Sequence, residues 1–194
     1  MWLRLCLFLI LNIILCSNPT FGQTITADRP GIGADPETVP QYTLQPEMGT
    51  DSKEIRLGVL KGFELDRDDT SWGAKVSLID NDTFKSSLKI SYDETLKTVV
   101  EIPSNYTYNK WFNLGTDISI SKTVKIYAGE FNFTPTSTLT ISPTVYFDGK
   151  PRVAAFVAWI PLKHQNIQFD IGYDKKKFSI GISTALNFKD IFKK

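Results

Sequence analysis

Cysteine is almost missing from this chain. The 194 residues hold two, Cys6 and Cys16, and both lie within the first 22, in or just after an apolar run. Beyond those residues no disulfide and no thiolate metal site can form, so an exported product would have no covalent staple. Histidine is scarcer still. The one His164 sits in a turn-like run, Leu162-Lys163-His164-Gln165-Asn166. A hydrolase needs a His/Ser/acid constellation, and scattered serines around one turn histidine do not make one. No enzyme activity and no catalytic residue is expected. The acids show no metal-ligand spacing either. Asp66-Asp68-Asp69 and Asp80-Asn81-Asp82 read as turn acids, so no metal and no cofactor is expected.

A charge excess is also lacking, the formal net charge being +1. Without Arg4, basic and acidic residues are equal in number, which argues against nucleic acid as a partner. Finally, no helical period and no second long apolar run follows the first. If this chain enters a membrane, it does so as a closed barrel.

What is present begins with Met1 to Gly22: Arg4, an apolar run from Leu5 to Leu15, then Ser17-Asn18-Pro19-Thr20-Phe21-Gly22. This reads as a secretory signal peptide over residues 1–22, with cleavage near Gln23; the apolar run is shorter than the ~20 residues of a membrane helix. Residues 23–41 have three prolines before Gln41 and no period, and read as an irregular N-terminal segment. Residues 42–194 read as one β domain.

The plainest pattern lies at 166–188. Ile167, Phe169, Ile171 and Tyr173 alternate with Gln168, Asp170 and Gly172. After Asp174-Lys175-Lys176, Phe178, Ile180, Ile182, Thr184, Leu186 and Phe188 alternate with Ser179, Gly181, Ser183, Ala185 and Asn187. Period 2 on both sides of a short turn is a β-hairpin. The small polar face suits a narrow lumen, and the bulky face ending in aromatics suits lipid. The same alternation runs upstream from Ile55, through Trp72–Leu78, Phe84–Tyr92, Leu96–Ile102, Phe112–Ile120, Leu139–Phe147 and Val153–Trp159. The run from Thr123 to Phe133 is less clear, with Val124, Ile126, Ala128 and Glu130 on one face and Tyr127, Phe131 and Phe133 on the other. Pro103 to Asn109 reads as a loop, and Asn105-Tyr106-Thr107 in it is a weak glycosylation match. Counting from Tyr42, the fold class is all-β: a single antiparallel transmembrane barrel of about twelve strands, or ten if the weaker runs fail.

On that parity the inward charges are Arg56, Lys75, Lys85, Lys89, Lys97, Glu101, Asp117, Arg152 and Asp170. They are expected to line the lumen, cross-bracing it or setting its selectivity. Residues 23–41 hold Asp28-Arg29-Pro30-Gly31 together with Ile25, Ile32 and Val39. These turn formers and apolar groups lead us to expect the segment to fold into or across one mouth as a plug, with Arg29 paired to Glu47 or Asp170.

The order Asp28-Arg29-Pro30, Val39-Pro40, Gln45-x-Glu47-x-Gly49 and Arg56-x-Gly58-Val59, then Glu64-Leu65, resembles an outer-membrane transporter family named after the meta-pathway of phenol degradation. Gln168-Phe169-Asp170 and Gly181-Ile182-Ser183 resemble its closing strands. The resemblance implies an outer-membrane barrel, with lipid and the barrel-assembly machinery as partners and small, aromatic or hydrophobic solutes as cargo. Two other functions are compatible with the residues: a closed barrel with a structural or interaction role, and a soluble periplasmic barrel with an apolar, ligand-binding interior.

Overall fold

Alternation alone builds this molecule. The computed structural model describes residues 34–50, 52–161 and 166–188. In chain order the strands are β1 (Thr43–Gly49), β2 (Lys53–Leu60), β3 (Phe63–Asp68), β4 (Ser71–Asp80), β5 (Phe84–Asp93), β6 (Lys97–Glu101) and β7 (Ser104–Asn109). They continue with β8 (Phe112–Ser121), β9 (Lys125–Thr136), β10 (Leu139–Phe147), β11 (Pro151–Trp159), β12 (Ile167–Asp174), β13 (Lys177–Thr184) and β14 (Leu186–Asn187). Every pairing is antiparallel, and β1 closes the sheet on both β13 and β14.

Fourteen segments make twelve staves. β6 and β7 both pair with β5 and β8. They are one stave broken at Pro103, which has no N–H for the ladder. Its carbonyl instead accepts from the Ser87 N–H at 3.1 Å. The second broken stave is β13–β14, interrupted at Ala185, whose N–H turns to the Asn166 carbonyl at 2.9 Å. The fold is a closed antiparallel twelve-strand barrel.

Three local expectations need correction. Residues 104–109 pair on both sides as β7, because their alternation continues beyond the proline. Lys97 takes φ 65° in the β5–β6 turn, with Nζ on the Glu94 carbonyl at 2.8 Å and over the Tyr92 ring at 5.8 Å. It stands at the rim and does not line the lumen. Asp66 is not a turn acid: it is buried inside β3. Asp68 and Asn81 do serve turns, accepting from the Thr70 and Ser71 and from the Thr83 and Phe84 N–H groups.

Sidedness is the reverse of a water-soluble fold. Trp72 is 62 % exposed, Val153 70 % and Phe178 75 %, while Arg56, Lys75, Glu47 and Glu64 are 0 % exposed. The outer aromatics gather at two levels. Toward the mouth opposite Thr43 and Asn187, Trp72 meets Tyr92 and Tyr173 meets Phe178, with ring centres 6.2 and 4.9 Å apart. Toward the mouth at Thr43 and Asn187, Phe112 meets Phe131 and Phe133, and Trp159 meets Phe169, at 5.4, 5.0 and 5.7 Å. Aliphatic residues such as Leu65, Ile90, Ile118 and Ile171 fill the band between them.

The faces of β9 are settled by this geometry. Tyr127 and Phe131 are exposed on the outside, so Ile126, Ala128 and Glu130 face the lumen. Ser86, the polar residue on the outer face of β5, is kept from the outside by a neighbour: its hydroxyl lies 2.9 Å from that of Ser104 and donates to the Pro103 carbonyl at 3.3 Å.

Candidate functional site: the lumen

Buried charge in a barrel interior must be paired, since an unpaired ion loses its hydration without compensation. β2 and β3 meet this with a fork. Arg56 Nε and Nη2 reach Glu64 Oε1 and Oε2, each at 3.0 Å, and Nη1 reaches Glu47 Oε1 at 3.2 Å. Lys75 from β4 approaches Glu64 Oε1 at 3.1 Å. Gln45 donates to Glu47 at 3.0 Å. One further layer joins three staves: Lys89 on β5 to Glu54 on β2 at 3.1 Å and to Asp66 on β3 at 3.3 Å.

Residues 34–41 lie against this network from inside. The Val39 N–H donates to Glu64 Oε2 at 2.6 Å, and the carbonyls of Glu37 and Asp35 accept from Arg56 Nη2 at 3.2 Å and Lys75 Nζ at 2.9 Å. Lys85 pairs with the Glu37 carboxylate. Val39 itself is completely buried. Gly58 makes the approach possible, because a Cβ there would stand 2.0 Å from the Pro40 carbonyl oxygen and 2.5 Å from that of Val39. The chain then swings into β1 through Tyr42 at φ 63°, with its N–H on the Gly58 carbonyl at 2.8 Å.

The far side of the lumen is filled differently. Tyr146, Ala154 and Phe156 form a buried cluster against Ile126 and Ala128. The Phe156 ring fits over Gly172, where a Cβ would meet ring carbons at 2.7 and 2.9 Å. Tyr146 donates to Asp174 at 2.6 Å. At the adjoining rim Arg152 Nε binds both Asp148 oxygens at 2.7 and 2.8 Å, with Lys175 at 3.5 Å. The hydrogen bond from Arg152 holds the Asp148 carboxyl below its ordinary value.

Of the residues singled out from sequence, Arg56, Lys75 and Glu47 meet in one network, with Lys89 and Lys85 beside it. Glu101 on β6, Asp117 on β8 and Asp170 on β12 occupy inward positions elsewhere on the wall. Asp28, Arg29, Pro30 and Gly31 lie outside the described residues, as do residues 1–22 and His164. Sequence reasoning missed Glu37, Glu54, Glu64, Asp66, Glu130, Tyr146 and Phe156. Parity was the available signal: Glu64 and Asp66 alternate with Phe63 and Leu65 in the same way as the lysines that were found.

The residues that carried the family resemblance come together here. Val39, Pro40, Gln45, Glu47, Arg56, Gly58 and Glu64 all belong to the cluster where the N-terminal segment crosses the wall. No protein-family model matches the sequence, and no curated protein matches it. Solved structures do. The chain is similar to a KdgM porin in complex with disordered oligogalacturonate, with TM-score 0.51 and 11 % identity over 75 % of this chain and 98 % of that one. A second KdgM porin structure gives 0.49 at the same identity and coverage. A mutant of the Rh. blastica porin gives 0.45 and 8 %, covering 70 % of this chain and 55 % of that porin. What the chain shares with the KdgM porin is the closed antiparallel β-barrel fold.

Proposed function

We propose that this protein is an outer-membrane channel through which small solutes cross by diffusion. One observation carries the reading: ions paired inside, aliphatic and aromatic groups outside between two aromatic levels, with β4, β5 and β8 to β11 long enough to cross a bilayer when tilted. Such a surface is stable only in lipid, which also argues against a soluble barrel with an apolar interior. Insertion of a barrel of this kind calls on the barrel-assembly machinery. Twelve staves leave a lumen between one that side chains fill and one that stays an open pore. Residues 34–41, Tyr146 and Phe156 narrow it further, which supports small solutes as the cargo. Aromatic solutes belong in that set, because Ile126 and Ala128 give part of the accessible wall an apolar character.

Sidedness is tested first. Arg in place of Ile182, at an outward mid-strand position, is expected to cost about 2–4 kcal/mol of barrel stability in lipid. Spin labels at positions 180 and 182 should respond to a lipid-soluble quencher, and a label at 179 should not. The reverse accessibility would remove the membrane reading. Conductance is tested by single-channel recording of the refolded protein in a planar bilayer. Discrete steps are expected; a folded barrel that gives none would leave the closed, structural role, which the filled lumen walls favour.

A further inference from the structure

The wall that a solute meets is not the wall that carries the ion-pair network. Arg56, Lys75, Gln45, Glu47 and Glu64 are fully buried beneath residues 34–41, and Tyr146, Ala154 and Phe156 are packed closed on β10 and β11. By contrast the inward side chains of β9, from Ile126 through Ala128 and Glu130 to Asn132, are all partly accessible. So are Asn113 and Ser119 on the neighbouring β8. β8 and β9 therefore belong to the accessible part of the inner wall.

Charge is divided unequally between those walls. The inward bases of β2, β4 and β5 are bound to acids: Arg56 and Lys75 to Glu64, Lys89 to Glu54 and Asp66, Lys85 to Glu37. Arg152 is held at the rim by Asp148. No base occupies an inward position of β8 or β9 among residues 113–119 and 126–132, whereas Asp117 and Glu130 do. Glu130 differs from Glu47, Glu54, Glu64 and Asp66 in its surroundings: among the described residues the Ser142 and Asn132 side chains stand beside it where a base stands beside those acids. The residue opposite it on β8 is Gly115, so no side chain projects beside the carboxylate from that stave.

We infer that the lumen passes cations and neutral solutes in preference to anions, and that Glu130 is the residue that sets this preference. The inference rests on the channel reading and adds the charge of the solute to it. A negatively charged constriction raises the local concentration of cations and depletes anions. Met at roughly 5 Å in water, one unit charge changes a monovalent ion's occupancy about fourfold. An anionic ligand of the oligogalacturonate type is accordingly disfavoured here.

The test is the reversal potential of the full barrel in a planar bilayer across a potassium chloride gradient. The wild-type protein should reverse on the cation-selective side. Glu130→Gln, which keeps size and hydrogen bonding, should lower the cation-to-anion permeability ratio about fifteenfold, cation occupancy falling and anion occupancy rising about fourfold each, and Glu130→Lys should lower it by about 250-fold. Asp117→Asn is the comparison and should move the ratio less than Glu130→Gln. A conducting barrel that is unselective or prefers anions overturns the inference and leaves the channel intact. So does a Glu130→Gln variant with the wild-type reversal potential. A folded barrel with no conductance overturns the channel reading, and this inference with it.

Discussion

Alanine at Gly58 is expected to release residues 34–41 from the lumen and raise single-channel conductance. The new methyl would lie 2.0 Å from the Pro40 carbonyl oxygen and 2.5 Å from that of Val39. Both obstacles are backbone atoms, and neither can rotate away as a side-chain tip would. β2 itself tolerates the change, because alanine suits an inward strand position. The segment is therefore the part that moves. Its departure forfeits the burial of Val39, worth about 1.5–3 kcal/mol, and its hydrogen bonds to Glu64, Arg56 and Lys75. Limited proteolysis should then cut between residues 34 and 41 in the variant and spare them in the parent. The plug expected from sequence would thereby be shown to limit the lumen. Equal conductance and equal cleavage would reduce the segment to a leader resting on the wall.

Arg56→Met should be the most destabilising single change in the interior. It leaves Glu47 and Glu64 without the guanidinium that now bridges them at 3.2 and 3.0 Å. Breaking a buried pair by removing one partner costs about 3–5 kcal/mol, chiefly because the remaining charge stays out of water. Lys75 still reaches Glu64, so Glu47 is the more exposed to the loss. Adding Glu47→Gln to Arg56→Met should recover most of that stability, since Lys75 still neutralises Glu64 and an amide at position 47 needs no counter-ion. Urea unfolding of the barrel in detergent micelles measures both. A loss below about 1 kcal/mol for Arg56→Met, as for a solvated pair, would mean that water already reaches the network.

How much of this was legible beforehand depends on which interaction shaped each part. Period-2 runs such as Phe178–Ile182 are fixed by the difference between lipid and lumen, and parity reads them directly. Arg56, Lys75 and Lys89 were found the same way. Their acids on β3 were not: Asp66 stands beside Asp68-Asp69 and reads as a turn acid, while Glu64 stood out only within the motif of the family resemblance. Lys97 failed for a different reason. One residue at φ 65° ends the alternation, and a left-handed lysine leaves no mark in the sequence. Pro103 misled in the opposite sense: it breaks one hydrogen bond, and the strand resumes on the other side. Phe156 inside the barrel depends on Gly172 across the next stave, a pairing that only the register reveals.

The seam between β1 and β13–β14 has a consequence for how the molecule is made. Thr43 pairs with Asn187 and Glu47 with Ser183, almost the whole described chain apart, while nearly every other pairing joins close neighbours in sequence. Hairpins can zip early because their ends start close together; this contact must first overcome the closure entropy of one very long loop. Until it forms, β1 and the last stave are open edges that another chain could extend. The rate-limiting event in biogenesis should thus be annealing of the two ends, and changes at Leu44 or Leu186, which meet there, should slow maturation far more than equivalent changes inside a hairpin.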